Sequence, residues 1–180
     1  MPEIGKRLGP VKQKQISELT TAAIRGNVPY HENLRRRIDV LKEVPISEVR
    51  DIVNSVPLNE ELMQFVVENS SRCRVVTANL DVWVASYLDR LGVRYYTSNA
   101  VEKDDRIVEL RNILEKKDIA SNYDNVVAVG DGHNDAGMLE VAEIGIACGL
   151  VHRPASSLFQ VATHVTYSEK ALCRMLRQLL

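Results

Sequence analysis

A chain of 180 residues, 45% of them apolar, is long enough to bury the core of one domain with room for a small insertion. With 23 basic against 24 acidic residues and a pI near 6.4, it lacks the charge of a polyanion binder; Arg35-Arg36-Arg37, the one compact basic run, is soon followed by Asp39 and Glu43. There is no signal-peptide pattern and no long apolar run, and the three cysteines (Cys73, Cys148, Cys173) are odd in number without metal-ligand spacing, so the sequence predicts a cytoplasmic protein with core thiols and neither nucleic acid nor membrane as partner.

The first 70 residues read as helical. From Gly9 to about Arg25, Ile16, Leu19, Ala23 and Ile24 recur at helical spacing, and Gly26 stands where such a helix stops. A second helix places Leu34, Ile38 and Leu41 on one face and ends at Pro45. Val49, Ile52 and Val53 make a third before Pro57, and Asn59 is placed to cap a fourth that carries Leu62, Phe65 and Val66.

At Cys73 the period changes. Residues 74–77 form a short strand, Ala78-Asn79 begins the turn, and Asp81 is positioned to cap a helix burying Trp83 or Val84, Tyr87, Leu88 and Leu91 before Gly92. Residues 93–97 are the next strand. Around Lys103-Asp104-Asp105-Arg106 the residues from Ala100 to Asn112 alternate loosely, which predicts a β-hairpin turning at Asp104-Asp105; a helix from Asp104 to Leu114 fits the same apolar positions. After a short apolar helix at 119–123 come strand 126–129, a helix through Met138, Leu139 and Ala142, strand 144–148, a short helix at 154–161, strand 164–167 and a terminal helix. Ser168 caps that helix, which turns Leu172, Met175, Leu176 and Leu179 inward. Strands alternating with helices predict an α/β fold built on a doubly wound parallel sheet.

The chemistry centres on Val126-Val127-Ala128-Val129-Gly130-Asp131-Gly132-His133-Asn134-Asp135. Four apolar residues bounded by glycine are a strand buried on both faces, and Gly130 and Gly132 are expected to take backbone conformations closed to other residues. Asp131 then stands at the carboxyl end of the strand, where ligands of open α/β sheets bind, with Asp135 on the first turn of the following helix. Two such carboxylates form hard oxygen ligands suited to Mg²⁺; the plainer alternative is that both cap a helix. Thr77, ending its own strand, offers a hydroxyl to a phosphoryl oxygen. Lys116 or Lys117, with Lys103 as a third choice, offers the cation that phosphate charge requires.

GDGHND at 130–135, VVTAN at 75–79 and the helical stretch VPYHENLRRRIDVLKEVP at 28–45 together resemble the haloacid dehalogenase superfamily of phosphatases, in its phosphoserine phosphatase-like branch. The resemblance covers essentially the whole chain. It implies a Rossmannoid core over 71–180 with an N-terminal helical cap over 1–70, and a Mg²⁺-dependent phosphatase-like hydrolase of a small phosphorylated metabolite. By the same resemblance Asp131 matches the Mg²⁺ ligand, with Asn134 and Asp135 supporting it, and Thr77 the phosphoryl-oxygen donor. Lys116, with Ile119 three positions on, best matches the motif lysine. Asn79 and Asn134 are placed with the substrate, as are Tyr30 and Arg37, which match cap residues that contact it; an arginine can grip a carboxylate bidentately.

The departure from the pattern is at the start. Members of the family begin with a strand ending in Asp-x-Asp, whose first carboxylate attacks phosphorus and whose second serves as acid and base. No Asp-x-Asp occurs in these 180 residues, and Met1 to Arg7 already resemble the sequence beyond that strand. The expectation is therefore an incomplete core, inactive as this chain stands. Its sheet either closes up or borrows a strand from another chain, making a homo-oligomer. The alternative is a non-catalytic relative that binds phosphate, metal or a protein partner.

Overall fold

A computed structural model describes residues 2–24 and 28–179. The helix end at Arg25 and the stop at Gly26 lie outside the described residues, as do the side chains of Ala23 and Ile24. The chain forms two compact units, Met1–Pro57 with Thr77–Leu114 and Leu58–Val76 with Glu115–Leu180. Among the described residues no helix is long and apolar enough to cross a membrane.

The first unit opens with helices α1 (Pro2–Arg7), α2 (Pro10–Ile24), α3 (Tyr30–Leu41) and α4 (Ile46–Asn54). Sequence spacing misses α1 and starts a helix at Gly9. Gly9 instead breaks α1 from α2 at φ +91°, a backbone conformation that costs glycine nothing. Ile16, Leu34, Ile38, Leu41, Ile46, Val49 and Ile52 form the helical core. Each such side chain, removed from water, contributes about 1.5–3 kcal/mol. Buried Asn33 donates from Nδ2 to the Leu19 carbonyl at 2.7 Å, tying α3 to α2.

Strand β1 (Arg74–Leu80) runs three residues further than expected and passes straight into α6 (Asp81–Asp89), which follows α5 (Glu60–Glu68) in chain order. No turn forms at Ala78-Asn79, because the Ala78 carbonyl accepts from the buried Ser98 hydroxyl at 3.0 Å on the neighbouring strand. That neighbour is β2 (Arg94–Lys103), and with β3 (Arg106–Asn112) it completes a sheet ordered β1-β2-β3. Asp81 is the first residue of its helix, whose N-cap position is Leu80, and its carboxylate accepts from the first-turn Val82 amide at 2.8 Å. The same carboxylate accepts from the Ala100 amide at 3.0 Å and from Asn99 Nδ2 at 2.9 Å, bracing α6 against β2. Both Trp83 and Val84 are buried.

Of the two readings of residues 100–114, the hairpin is the one formed: β2 and β3 are antiparallel, with Lys103 opposite Arg106. Asp104 and Asp105 turn the chain at φ 51° and 58°, the paired left-handed conformation that matches the twist of a two-residue hairpin.

In the second unit, α5 buries Phe65. Asn59 occupies its N-cap position but makes no side-chain cap bond. Helix α7 (Lys116–Ala120) leads to the parallel sheet β4 (Val127–Gly130), β5 (Ile144–Cys148), β6 (His164–Thr166), in that order. Val127 pairs with Ile144 and Ile146 with His164. The turn after β4 is a 3-10 turn, His133–Asp135, followed by α8 (Ala136–Val141), and another 3-10 turn fills Ser156–Gln160. Ala128, Met138, Leu139, Ala147 and Leu158 pack on one side of the sheet; Ile146 and Leu172 pack in a separate cluster with Cys148. Ser168 caps the last helix, α9 (Glu169–Gln178), accepting from the Ala171 amide at 3.3 Å. Leu172 and Cys173 face inward, whereas Leu179 lies beyond the helix and 39% exposed. Cys148 and Cys173 are buried and Cys73 half-buried, all as free thiols.

Candidate active site

The turn after β4 is organised by one carboxylate. Asp135, 3% exposed, reaches back so that Oδ2 accepts from the amides of Asp131 at 3.0 Å and Gly132 at 2.8 Å, while Oδ1 accepts from Lys116 Nζ at 2.6 Å. The carboxylate therefore closes the turn and neutralises a lysine whose side chain is itself largely enclosed. Charge-assisted bonds of this kind are the strong ones, and a buried pair survives only when so satisfied.

The two glycines serve this geometry differently from the expectation. Among the described glycines, only Gly9 and Gly92 have positive φ, and Gly132 sits at φ −102°. What Gly130 and Gly132 supply is room. A Cβ on Gly130 would lie 2.4 Å from Asp135 Cβ, and one on Gly132 would lie 2.7 Å from Asn134 Oδ1.

With Asp135 committed, Asp131 is the carboxylate left over. It follows β4 directly, its side chain is 44% exposed, and its Oδ2 lies 3.1 Å from His152 Nε2. Desolvation pushes its carboxyl above the usual aspartate range, and the charge of Asp135 pushes it further; His152 and Lys116 pull less strongly the other way. Its backbone carbonyl accepts from the Ala155 amide at 2.9 Å, which holds the loop after β5 beside it.

Of the candidate lysines, Lys116 reaches this turn. Lys117 points to the surface and pairs with Glu140 at 3.0 Å, and Lys103 ends β2 exposed at the hairpin of the first unit. Asn134 is half-buried on the 3-10 turn. The structure thus brings Lys116, Asp131 and Asp135 together and adds His152. Among the described residues no three His, Cys, Asp or Glu side chains converge in a metal-holding group. Asp131 supplies an oxygen donor that fits a hard dication, with half its surface open to further ligands.

Thr77 and Asn79 form a second group, in the first unit. Thr77 Oγ1 accepts from the Asn79 amide at 3.2 Å and from its Nδ2 at 3.1 Å. Two N–H donors fill the hydroxyl's acceptor side, so its own proton is left to donate. Tyr30 and Arg37 make a third group on α3. Arg37 donates from Nη2 to Thr20 Oγ1 at 3.3 Å, its buried Nε has no hydrogen-bond partner, and burial lowers its pKa against the opposing influence of Tyr30. A buried guanidinium with an unused donor is matched to an anion.

His152 is the residue that the sequence reading does not single out. Its signal lies in the topology: β4 and β5 are adjacent and parallel, so the loops after both open at the same edge of the sheet.

Residues 96–171 match the family model described as haloacid dehalogenase-like hydrolase. The phosphoserine phosphatase of Archaeoglobus fulgidus is 30% identical over 152 residues, 74% of this chain and 44% of that protein. That of Methanocaldococcus jannaschii is 27% identical over 162 residues, 81% of this chain and 76% of that protein. The chain thus spans less than half the length of the Archaeoglobus relative. A solved structure of a phospho-aspartyl intermediate analogue of phosphoserine phosphatase superposes with a TM-score of 0.79 at 24% identity, covering 98% of this chain and 90% of that one. Fold and sequence agree: the chain is an α/β protein of the haloacid dehalogenase superfamily, similar to the phosphoserine phosphatases.

Proposed function

We propose that this chain carries most of a Mg²⁺-dependent phosphatase site for a small phosphorylated metabolite that bears a carboxylate, and that the attacking carboxylate is supplied from outside these 180 residues. The observation that carries the reading is the division of labour in the turn after β4, where Asp135 is spent on Lys116 and two amides and Asp131 stays open.

Asp131 would hold the dication, which when bound would draw charge from a phosphoryl oxygen. Lys116, kept in place by Asp135, sets a positive charge at the turn without needing to be reorganised. Thr77 offers its hydroxyl proton to a phosphoryl oxygen, and Asn79 holds that hydroxyl in orientation. Arg37, with Tyr30 on the same helix, offers its guanidinium charge to the substrate carboxylate.

The missing step is attack on phosphorus. Among the described residues β4 pairs with β5 alone at the end of its sheet, so its other edge is where a further strand would dock. In this reading an Asp-x-Asp strand docks there, either from a longer form of the polypeptide or from another chain. No Asp-x-Asp occurs within the 180 residues, and this favours a second reading, a non-catalytic relative that binds phosphate, metal or a protein partner.

The test is hydrolysis of an aryl phosphate and of a carboxylate-bearing phosphomonoester, by the 180-residue chain and by the same chain fused behind an apolar strand ending in Asp-x-Asp. The expected result is no turnover by the first and turnover by the second, with Arg37→Ala raising KM chiefly for the carboxylate-bearing substrate. Turnover by the 180-residue chain that disappears in Asp131→Asn would overturn the assignment of an external nucleophile.

A further inference from the structure

A groove of about 280 Å³ lies wholly within the first unit, between α3 and the end strand β3. Its helix wall is a single stripe, Arg35, Ile38, Asp39 and Lys42, at the i, i+3, i+4, i+7 spacing that places residues on one face. Its strand wall is Ile107 to Leu110, four residues in a row. Successive strand residues point to opposite faces, so a groove that touches all four runs along the edge of β3. Among the described residues β3 pairs with β2 alone, so that edge carries no further strand. The hairpin turn holds the walls in place: the Asp105 carbonyl accepts the Ile46 amide at 2.9 Å, and its carboxylate binds Ser47 at the start of α4.

The lining combines an apolar surface with charges divided between the walls. Ile38 is buried, whereas Val108 is 57% exposed. The register between β2 and β3 skips Val108, which makes it the extra residue of a bulge and turns its side chain aside from the regular pleat. The bulge also interrupts the ladder that an incoming strand would need, and the volume is that of a small molecule and not of a docked chain. On the helix, Lys42 pairs with Asp39 at 3.3 Å, which leaves that wall with the positive charge of Arg35. The strand wall carries the negative charge of Glu109. Among the described residues neither the Arg35 nor the Glu109 side chain has a hydrogen-bond or ion-pair partner.

We propose that this groove binds a small zwitterion, a free amino acid with an aliphatic side chain. Its carboxylate lies on the Arg35 guanidinium, whose fork suits it, its ammonium on the Glu109 carboxylate, and its side chain over Ile38 and Val108. A simple anion held by Arg35 would face Glu109, and a simple cation held by Glu109 would face Arg35. Either meets a repulsion that a zwitterion turns into a second attraction. None of the groups assigned to phosphate chemistry lines the groove, so binding there is separable from turnover.

The test is an NMR titration of the 180-residue chain, read at the amides of residues 35–42 and 107–110. The probes are leucine, 3-methylbutylamine, which is leucine without its carboxylate, and 4-methylpentanoate, which is leucine without its ammonium. Leucine should bind with a dissociation constant of about 1 mM or tighter, and each analogue about tenfold or more weakly. Arg35→Ala should weaken leucine to the level of the amine and leave the amine unchanged. Glu109→Gln should weaken leucine to the level of the acid and leave the acid unchanged. Both residues are exposed, and urea midpoints equal to the parent's would show that the variants fold. No saturable shift with leucine, shifts confined to residues outside the groove, or equal affinity for leucine and both analogues would overturn the proposal. So would leucine affinity that neither substitution changes.

Discussion

Two turns in this protein follow the end of a strand and carry a pair of aspartates, and the chain puts them to different ends. After β4, Asp135 accepts two backbone amides; at the hairpin, Asp105 accepts the Ser47 amide at 2.8 Å and the Ser47 hydroxyl at 2.6 Å, clamping the start of α4. The local chemistry is nearly the same. The difference lies in burial and in what is left over. Asp135 is enclosed with Lys116, and Asp131 beside it stays 44% exposed with His152 at 3.1 Å. Asp105 is only half-buried and keeps contact with solvent, where losing a partner costs a carboxylate less. Acidic residues in a turn thus become a chemical site only when one of them is consumed in building the turn and another is freed by that construction.

The largest effect that would separate the two turns is on stability. Asp135→Ala leaves Lys116 enclosed without its partner and two turn amides without an acceptor, and should cost about 3 kcal/mol or more in urea unfolding. Asp105→Ala, at a half-exposed clamp with no enclosed lysine, should cost less. Equal losses would break the distinction. Next in size is Gly130→Ala. Its Cβ would meet Asp135 Cβ at 2.4 Å, so the turn must open, at a cost of about 1–3 kcal/mol. Asp104, already at φ 51°, should by contrast tolerate glycine without loss, because glycine adopts that conformation freely.

Much of this site is legible in the sequence because it is local. A buried strand, two glycines and two carboxylates within ten residues constrain one another, and Asp131 and Asp135 are placed as that stretch requires. The reason for the glycines is not legible. Their role is clearance for a side chain folding back, which depends on three-dimensional contact and not on backbone freedom. Lys116 could not be separated from Lys117 by spacing, since adjacent residues on a short helix point to different surroundings and only packing decides which one meets Asp135. His152 was hidden for another reason. It lies 21 positions from Asp131 in sequence, and only the parallel pairing of β4 with β5 brings their loops together. The strand ending at Leu80 looks shorter in the sequence because Ala78-Asn79 resembles a turn, and only the hydrogen bond from Ser98 extends it.

The smallest expected effect is also the one that tests whether the hairpin clamp is electrostatic. The Ser47 hydroxyl is the largest cause holding the Asp105 carboxyl below the ordinary aspartate range, with the Ser47 amide next and Arg106 and Arg50 adding less. A carboxyl whose pKa is lower folded than unfolded binds protons more readily in the unfolded chain. Its contribution is therefore complete above the ordinary aspartate pKa and is lost as pH falls through the lower, folded value. Ser47→Ala removes the main cause of that shift and should leave the protein slightly less stable than the parent at neutral pH. The gap should narrow as pH is lowered below about 4, where Asp105 becomes protonated in both proteins. Urea midpoints for parent and Ser47→Ala, measured from pH 7 down into this range, would show the two curves converging. A gap that stays constant with pH would mean that Ser47 serves α4 as a neutral hydroxyl, and that Asp105 holds the hairpin to the helix through geometry alone.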